Sequence, residues 1–135
     1  MESFEDDRMC FVCGEKNPIG LNLDWEFSED REVLKTSFIP DKKLQGWKDV
    51  VHGGILTTVL DETMANHCIF RGIYVVSVEI KVRFKNPARV GERLNFEARA
   101  WHKRGKLYEA EARCFQKNQL IAEAKGKLIQ IKAEV

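Results

Sequence analysis

Apolar and polar residues alternate along most of this chain, and one long interruption in the middle has a different period. Residues 21–29 and 33–39 alternate, so they are predicted to form two strands of a hairpin that turns across residues 28–30. From Gly53 the period becomes that of a helix of about four turns. The residues on the apolar side of this helix are Leu56, Val59, Leu60, Thr63 and His67.

The alternation returns after Gly72 and continues nearly to the end of the chain. A long strand over residues 74–85 is predicted to bury Val76 and Val78 and to place Ser77 on its opposite face. Three further strands follow, and the last two have mostly small inner residues, which allow a sheet to curl closely. The order of two strands, one helix and four strands predicts an α+β fold, an antiparallel β-sheet of about six strands wrapped around one long central helix.

The length of the chain and its balance of acidic and basic residues limit the kinds of function that it can have. The 135 residues fit one domain, over residues 1–135, without a separate cofactor-binding domain. The 22 Lys and Arg residues nearly balance the 21 Asp and Glu residues, which argues against nucleic acid or an anionic membrane as the partner. No apolar run is long enough to span a bilayer, and the acidic N-terminus does not resemble a signal peptide. We therefore expect a cytoplasmic protein.

The four cysteines do not suggest a disulfide framework, because a cytoplasmic domain of this size has a sufficient core without one. Cys10 and Cys13 have the spacing of half a zinc ribbon, in an N-terminal segment over residues 1–20. A structural zinc takes four ligands and the sequence offers two, so no metal is expected and the thiols are interpreted as small apolar fillers. A zinc-binding interaction module would also leave the rest of the chain unexplained.

The candidate chemistry lies at the start of the helix. Gly53 and Gly54 allow a ligand to approach the unpaired amides there, which could hold the oxygen of a thioester carbonyl, although two glycines could also simply ease a turn. Asp61 lies two turns further, on the side of the helix opposite the apolar stripe, so it should face a cleft or a partner subunit. Glu62 lies at the edge of the stripe and is the weaker candidate.

The spacing of these groups predicts a dimer. Asp61 lies on the order of 10 Å along the helix axis from the Gly53 amide, too far for both to reach one carbonyl carbon. Two antiparallel copies related by a two-fold axis would bring the Gly53 amide of one subunit to Asp61 of the other.

These residues, with their flanks, resemble the hotdog-fold acyl-CoA thioesterases of the phenylacetate-degradation (PaaI-like) branch, over nearly the whole chain. The matching features are Cys10-Phe11-Val12-Cys13-Gly14, Asn17-Pro18-Ile19-Gly20-Leu21, Gly46-Trp47, His52-Gly53-Gly54 with Asp61, and Asn86-Pro87 with Gly91-Glu92. Where some relatives have an Asn six residues and a Gly three residues before the His, this chain has Gly46 and Asp49.

The resemblance implies an enzyme, a thioester hydrolase without a cofactor, acting as a homodimer or as a tetramer of two dimers. It implies that Gly53 supplies the oxyanion amide, that Asp61 is the general base or the nucleophile, and that Ser77 helps to place the attacking water. His52 is interpreted as orienting Gly53 rather than as a second base. A non-catalytic acyl-CoA-binding protein, or a hydratase of the same fold, is the alternative.

Coenzyme A carries phosphates, so basic side chains should lie near the site. The resemblance implies that a hairpin and the segment after the long strand contact the nucleotide, although solvated turn lysines explain them equally well. With His52 and Gly54, the candidate substrate-binding residues are Lys85, Arg89, Lys103, Arg104, Gly105 and Lys106.

The acyl group is expected to be an aryl or medium-chain group. Candidates to line its tunnel are Trp47, Met64, Phe70 and Tyr74.

Overall fold

The structure, a computed structural model, describes residues 3–134 and contains one long helix and one main sheet in that range. The strands are β1 (Ser3–Glu5), β2 (Glu26–Phe27), β3 (Leu34–Phe38), β4 (Val75–Phe84), β5 (Leu94–Arg104), β6 (Leu107–Gln116), β7 (Gln119–Gln130) and β8 (Lys132–Glu134). The helix α1 runs over Gly53–Ile69, and a 3₁₀ turn precedes it at Lys42–Leu44. In the described range no helix combines the length and the apolar character needed to cross a bilayer.

The main sheet has six antiparallel strands in the order β2-β3-β5-β6-β7-β4. This confirms the predicted α+β architecture and strand number. A second, two-stranded sheet joins β1 to β8 in parallel, and the sequence pattern did not predict it. The strand β4 lies at one edge of the main sheet, so one of its sides has no strand partner among residues 3–134.

The helix α1 is buried against the concave face of the sheet, as the small residues of the last strands predict. Val59, Leu60 and Met64 are fully buried. The Met64 side chain lies where a side chain at Gly126 of β7 would be, about 3.1 Å from the ideal Cβ position, so glycine there allows the sheet to approach the helix. Burying three large apolar side chains contributes on the order of 5–9 kcal/mol before the cost in conformational entropy.

The strand β4 departs from the predicted alternation. Its register with β7 shifts between Ser77 and Glu79, which is a β-bulge. A bulge inserts one residue, so the side chains on either side of it exchange faces. As a result Val75 is buried, Val78 is 58% exposed, and the Ser77 side chain turns toward the helix. The prediction that Val76 and Val78 face the core, with Ser77 on the opposite face, was wrong.

The first predicted strand is also shorter than its alternation suggests, since only two of residues 21–29 join the sheet. Asn22 has a φ of +51°, which interrupts an extended backbone. The N–H groups of Leu21 and Leu23 donate to the carbonyls of Phe11 and Val12 instead of to a strand of the main sheet. The apolar residues of this region therefore hold the N-terminal segment against the core.

Candidate active site

The helix α1 begins at a polar cap. His52 has an extended backbone, with ψ of 132°, and its imidazole Nδ1 accepts a hydrogen bond of 2.8 Å from the N–H of Gly54. This bond occupies one of the amides that a helix start leaves unpaired. The N–H of Gly53 donates to no acceptor in residues 3–134. The cap therefore leaves the Gly53 amide available to a ligand.

The Gly53 amide lies at a groove of about 860 Å³ beside the start of α1. The ring of Phe84, the last residue of β4, lies about 3.3 Å from the ideal Cβ position of Gly53, so a larger residue there would displace the ring. The groove is lined by the loop before the helix and by the segment after β4. These residues are Gly46, Trp47, Val50, Val51, His52, Gly53, Leu56, Phe84, Lys85, Asn86, Pro87 and Ala88.

Asp61 lies further along α1 and is partly buried beside the edge strand β4. Its Oδ1 accepts a hydrogen bond of 2.5 Å from the Ser77 hydroxyl. A serine hydroxyl that donates its one proton to a carboxylate keeps two lone pairs, and these can accept a hydrogen bond from water. The bulge in β4 is what turns Ser77 toward this carboxylate.

The two halves of the candidate site are apart within one chain. Asp61 is not among the residues that line the groove at Gly53. Eight residues of helix separate the two, which corresponds to about 12 Å along the axis. Within a single chain, therefore, the free amide and the Asp61–Ser77 pair do not face one carbonyl group.

Glu62, the neighbour of Asp61, faces the N-terminal segment instead of Ser77. Its Oε1 lies 3.6 Å from the Sγ of Cys10 and 3.4 Å from the Sγ of Cys13. Burial and the charge of Asp61 raise the pKa of Glu62, against the opposing effect of hydrogen bonds from the two thiols. Burial, the charge of Glu62 and the adjacent Cys10 raise the pKa of Cys13. Sequence spacing gave no sign of this cluster, because Glu62 is 49 residues from Cys13.

Two of the basic candidates lie near the groove. Lys85 lines it, and its Nζ lies 3.7 Å from a carboxylate oxygen of Glu123 on β7. Arg89 is exposed, and its backbone N–H and carbonyl are both held by the Gln116 side chain, at 2.8 and 3.0 Å. A bridge joins Arg89 to Val50, which is itself a groove residue.

The other basic candidates lie at the opposite end of the sheet. Lys103 and Arg104 belong to β5, so only Gly105 and Lys106 form the turn to β6. Leu107, the first residue after this turn, pairs with Ile129 of β7, and Ile129 also pairs with Val76 near the start of β4. The turn is therefore level with the start of β4, whereas Lys85 follows the end of that strand. Eight residues of strand put the two basic groups about 25 Å apart. One subunit therefore does not bring them to one ligand.

The candidate aromatic and apolar lining residues are also dispersed. Trp47 lines the groove and is 86% exposed. Met64 is fully buried in the core, and Phe70 packs edge-on against Trp25 beyond the C-terminal end of α1. Neither Met64, Phe70 nor Tyr74 lines this groove, so Trp47 is the one member of the predicted set that does. The loop containing Trp47 is closed by hydrogen bonds with Val50, and it includes Asp49 at a φ of +60°.

Comparison with known proteins places this geometry in a family. The family model described as "Thioesterase superfamily" matches residues 48–123, more than half of the chain. A region of 81 residues is 33% identical to human acyl-coenzyme A thioesterase 13 and 32% identical to the mouse protein of the same name. The match covers 58% of this chain and 54% of each relative, so it spans about half the length of these curated relatives.

Solved structures share the fold at low sequence identity. The E. coli PaaI protein from the phenylacetic acid degradation operon superposes with a TM-score of 0.75 at 20% identity, covering 84% of each chain. The smu.793 protein of Streptococcus mutans, solved bound to acetyl CoA, gives a TM-score of 0.74 at 17% identity, covering 84% of this chain and 92% of that one. These matches confirm the hotdog fold.

Proposed function

The chain belongs to the thioesterase superfamily, and we propose that it hydrolyses the thioester bond of an acyl-coenzyme A. The observation that supports this most directly is the capped helix start, where His52 accepts the Gly54 N–H and the Gly53 N–H, beside a groove, has no acceptor in the described part of the chain. A free amide at a helix N-terminus is suited to an oxygen that gains negative charge. The match to acyl-coenzyme A thioesterase 13 supports the same substrate class.

The Gly53 amide would act as the oxyanion donor. As the thioester carbonyl carbon becomes tetrahedral, its oxygen gains negative charge, and a fixed N–H with no other acceptor stabilises that charge without reorganising. The helix dipole adds to this stabilisation. His52 would serve as a positioning residue, since its imidazole already accepts the N–H of Gly54 and fixes the turn that presents Gly53.

Asp61 would perform the attack in one of two ways. As a general base it takes a proton from a water molecule that adds to the carbonyl carbon, and the coenzyme A thiolate leaves. As a nucleophile its carboxylate adds to the carbonyl carbon and expels the coenzyme A thiolate, and water then hydrolyses the resulting acyl–aspartyl anhydride to the acid and free Asp61. Ser77 supports either route, because its hydroxyl holds one carboxylate oxygen and keeps lone pairs for a water.

A dimer would assemble the complete site. The free amide and the Asp61–Ser77 pair lie about 12 Å apart along α1, and a two-fold axis that sets two helices antiparallel brings one half from each subunit together. The edge strand β4, which presents Val78 at 58% and Phe84 at 55% exposure, offers a partly apolar surface for such a contact, with one side unpaired among residues 3–134. Two such dimers could further form a tetramer.

The groove at Gly53 would receive the thioester end of the substrate. Its exposed Trp47 and the apolar residues beside it suit an aryl or medium-chain acyl group. Lys85 and Arg89 lie on the same end of the sheet and could meet coenzyme A phosphates. The residues of the β5–β6 hairpin, Lys103 to Lys106, could reach the same ligand only from another subunit.

Purified protein is expected to release free thiol from at least one acyl-CoA without added metal or nucleotide cofactor, because every proposed group is a side chain or a main-chain amide. The measurement is a screen over aryl, short, medium and long acyl-CoA substrates, with thiol release as the readout. Folded protein that gives no release across the whole panel, but binds an acyl-CoA by calorimetry, would favour the non-catalytic binding protein instead.

Replacing Ser77 by alanine is expected to lower kcat about tenfold with little change in KM, because the hydroxyl orients Asp61 and water instead of holding the substrate. Ser77→Thr is the matched control, since it keeps a hydroxyl on an exposed strand position and should recover most of the rate. Equal losses in the two variants, with unchanged thermal stability, would show that the hydroxyl has no such role.

A further inference from the structure

We propose that Cys10, Cys13 and Glu62 form a zinc site that attaches the N-terminal segment to the helix α1. This Cys10–Cys13–Glu62 cluster is separate from the Asp61–Ser77 pair and from the groove at Gly53. One ligand atom from each residue lies within 4.8 Å of the others. Two sulfur ligands and one carboxylate oxygen form a donor set that suits zinc, a borderline-soft cation.

The two sulfur–oxygen distances in the cluster already fit a tetrahedral ion. With typical zinc–sulfur and zinc–oxygen bonds, tetrahedral geometry separates a sulfur from an oxygen by about 3.5 Å. The separations between the Glu62 Oε1 and the two sulfur atoms are 3.6 Å for Cys10 and 3.4 Å for Cys13. A zinc ion could therefore bind between these groups with little movement of the backbone.

The turn that carries the two cysteines is held by main-chain hydrogen bonds, and both thiols lie near the same oxygen of Glu62. The N–H of Gly14 donates to the carbonyl of Cys10 at 2.9 Å, and the N–H of Val12 points at the Cys10 Sγ at 3.4 Å. A Cβ at Gly14 would lie 2.4 Å from the Cys10 nitrogen, so the turn requires glycine at this position.

The site would hold the N-terminal segment close to the candidate catalytic carboxylate. Val12, which lies between the two cysteines in sequence, is buried in the core, and Glu62 is the helix residue next to Asp61. Sequence spacing offers only two of the four ligands that zinc takes, but Glu62 of α1 adds a third, so one water molecule would complete the tetrahedron. The expected role is to fix the segment on α1, so the metal affects stability more than chemistry.

Zinc binding is tested on the whole reduced protein. Metal is removed by dialysis against a chelator with a phosphine reductant, and one equivalent of zinc or cobalt(II) is then added. We expect one zinc per chain by elemental analysis and a rise in Tm of about 5–10 °C. Cobalt should give the near-ultraviolet absorption of thiolate-to-metal charge transfer.

Matched cysteine variants locate the site. The chain has four cysteines, and Cys68 and Cys114 are buried away from the cluster. A Cys68→Ala/Cys114→Ala chain should keep the charge-transfer band and the zinc stoichiometry. Cys10→Ser, Cys13→Ser and Glu62→Gln should each weaken zinc affinity by more than about tenfold, since each removes one of three protein ligands.

Three results would overturn the zinc site. One is folded, reduced wild-type protein that takes up no zinc and gives no cobalt charge-transfer band. Another is full zinc stoichiometry in a folded Cys10→Ser/Cys13→Ser chain. The third is a Cys10–Cys13 disulfide in protein kept under reductant. If the Cys10→Ser, Cys13→Ser and Glu62→Gln variants do not fold, the cobalt spectra of the wild-type chain and of the Cys68→Ala/Cys114→Ala chain still test the site. None of these measurements uses substrate, so their outcome is independent of the thioesterase proposal.

Discussion

Replacing Asp61 by asparagine is expected to lower kcat by about 10²–10⁴, because it removes a general base or nucleophile at nearly constant volume. Asparagine keeps an oxygen that can accept the Ser77 hydroxyl, so the contact between α1 and β4 should survive. Steady-state thiol release on the best substrate of the acyl-CoA panel measures the loss, and thermal unfolding shows whether the fold is kept.

Asp24→Asn is the matched control, since it makes the same chemical change at an exposed residue outside the groove at Gly53. It should retain nearly full activity. Comparable losses in both variants, or an Asp61→Asn loss of less than about tenfold, would remove Asp61 from the catalytic role.

The two routes for Asp61 differ in where solvent oxygen goes. If Asp61 is a general base, a single turnover in heavy-oxygen water puts the label only into the product acid. If an acyl–aspartyl anhydride forms, water can attack its aspartyl carbonyl and leave the label on Asp61. Label found on the peptide containing Asp61 by mass spectrometry after one turnover would therefore show nucleophilic catalysis.

The elements that the sequence predicted best are those with one continuous period. The helix that begins at Gly53 and the strands β5 and β6 follow strict helical or alternating patterns, and the structure confirms these elements. In these elements each side chain has a single environment, either core or solvent. Periodicity reports that environment directly, so the α+β fold could be predicted from it.

The features that could not be predicted depend on single backbone irregularities or on distant residues. One inserted residue in β4 reverses the orientation of Ser77, and its sequence alternates without interruption there. The contact of Glu62 with Cys10 and Cys13 joins segments about 50 residues apart, which no local pattern reports. A bulge and a tertiary contact are both set by packing of the folded chain, so they appear only in three dimensions.

Mixing two inactive variants is expected to restore activity to roughly a quarter of wild type if the site is shared between subunits. Gly53→Pro removes the oxyanion amide but keeps Asp61, and Asp61→Asn does the reverse. Half of randomly paired dimers are mixed, and one of the two sites in each then has both working groups. The chains are unfolded and refolded together, and mass spectrometry confirms the heterodimers.

The Gly53→Pro chain should fold, because proline is favoured at the first position of a helix and the preceding His52 is already extended. The ring of Phe84, 55% exposed, can move to admit it. Adding Ser77→Ala to the Gly53→Pro chain should lower the recovered rate about tenfold, because in a mixed dimer that chain supplies Asp61 and Ser77 together. Heterodimers as inactive as their parents would show that the amide and the carboxylate act within one chain.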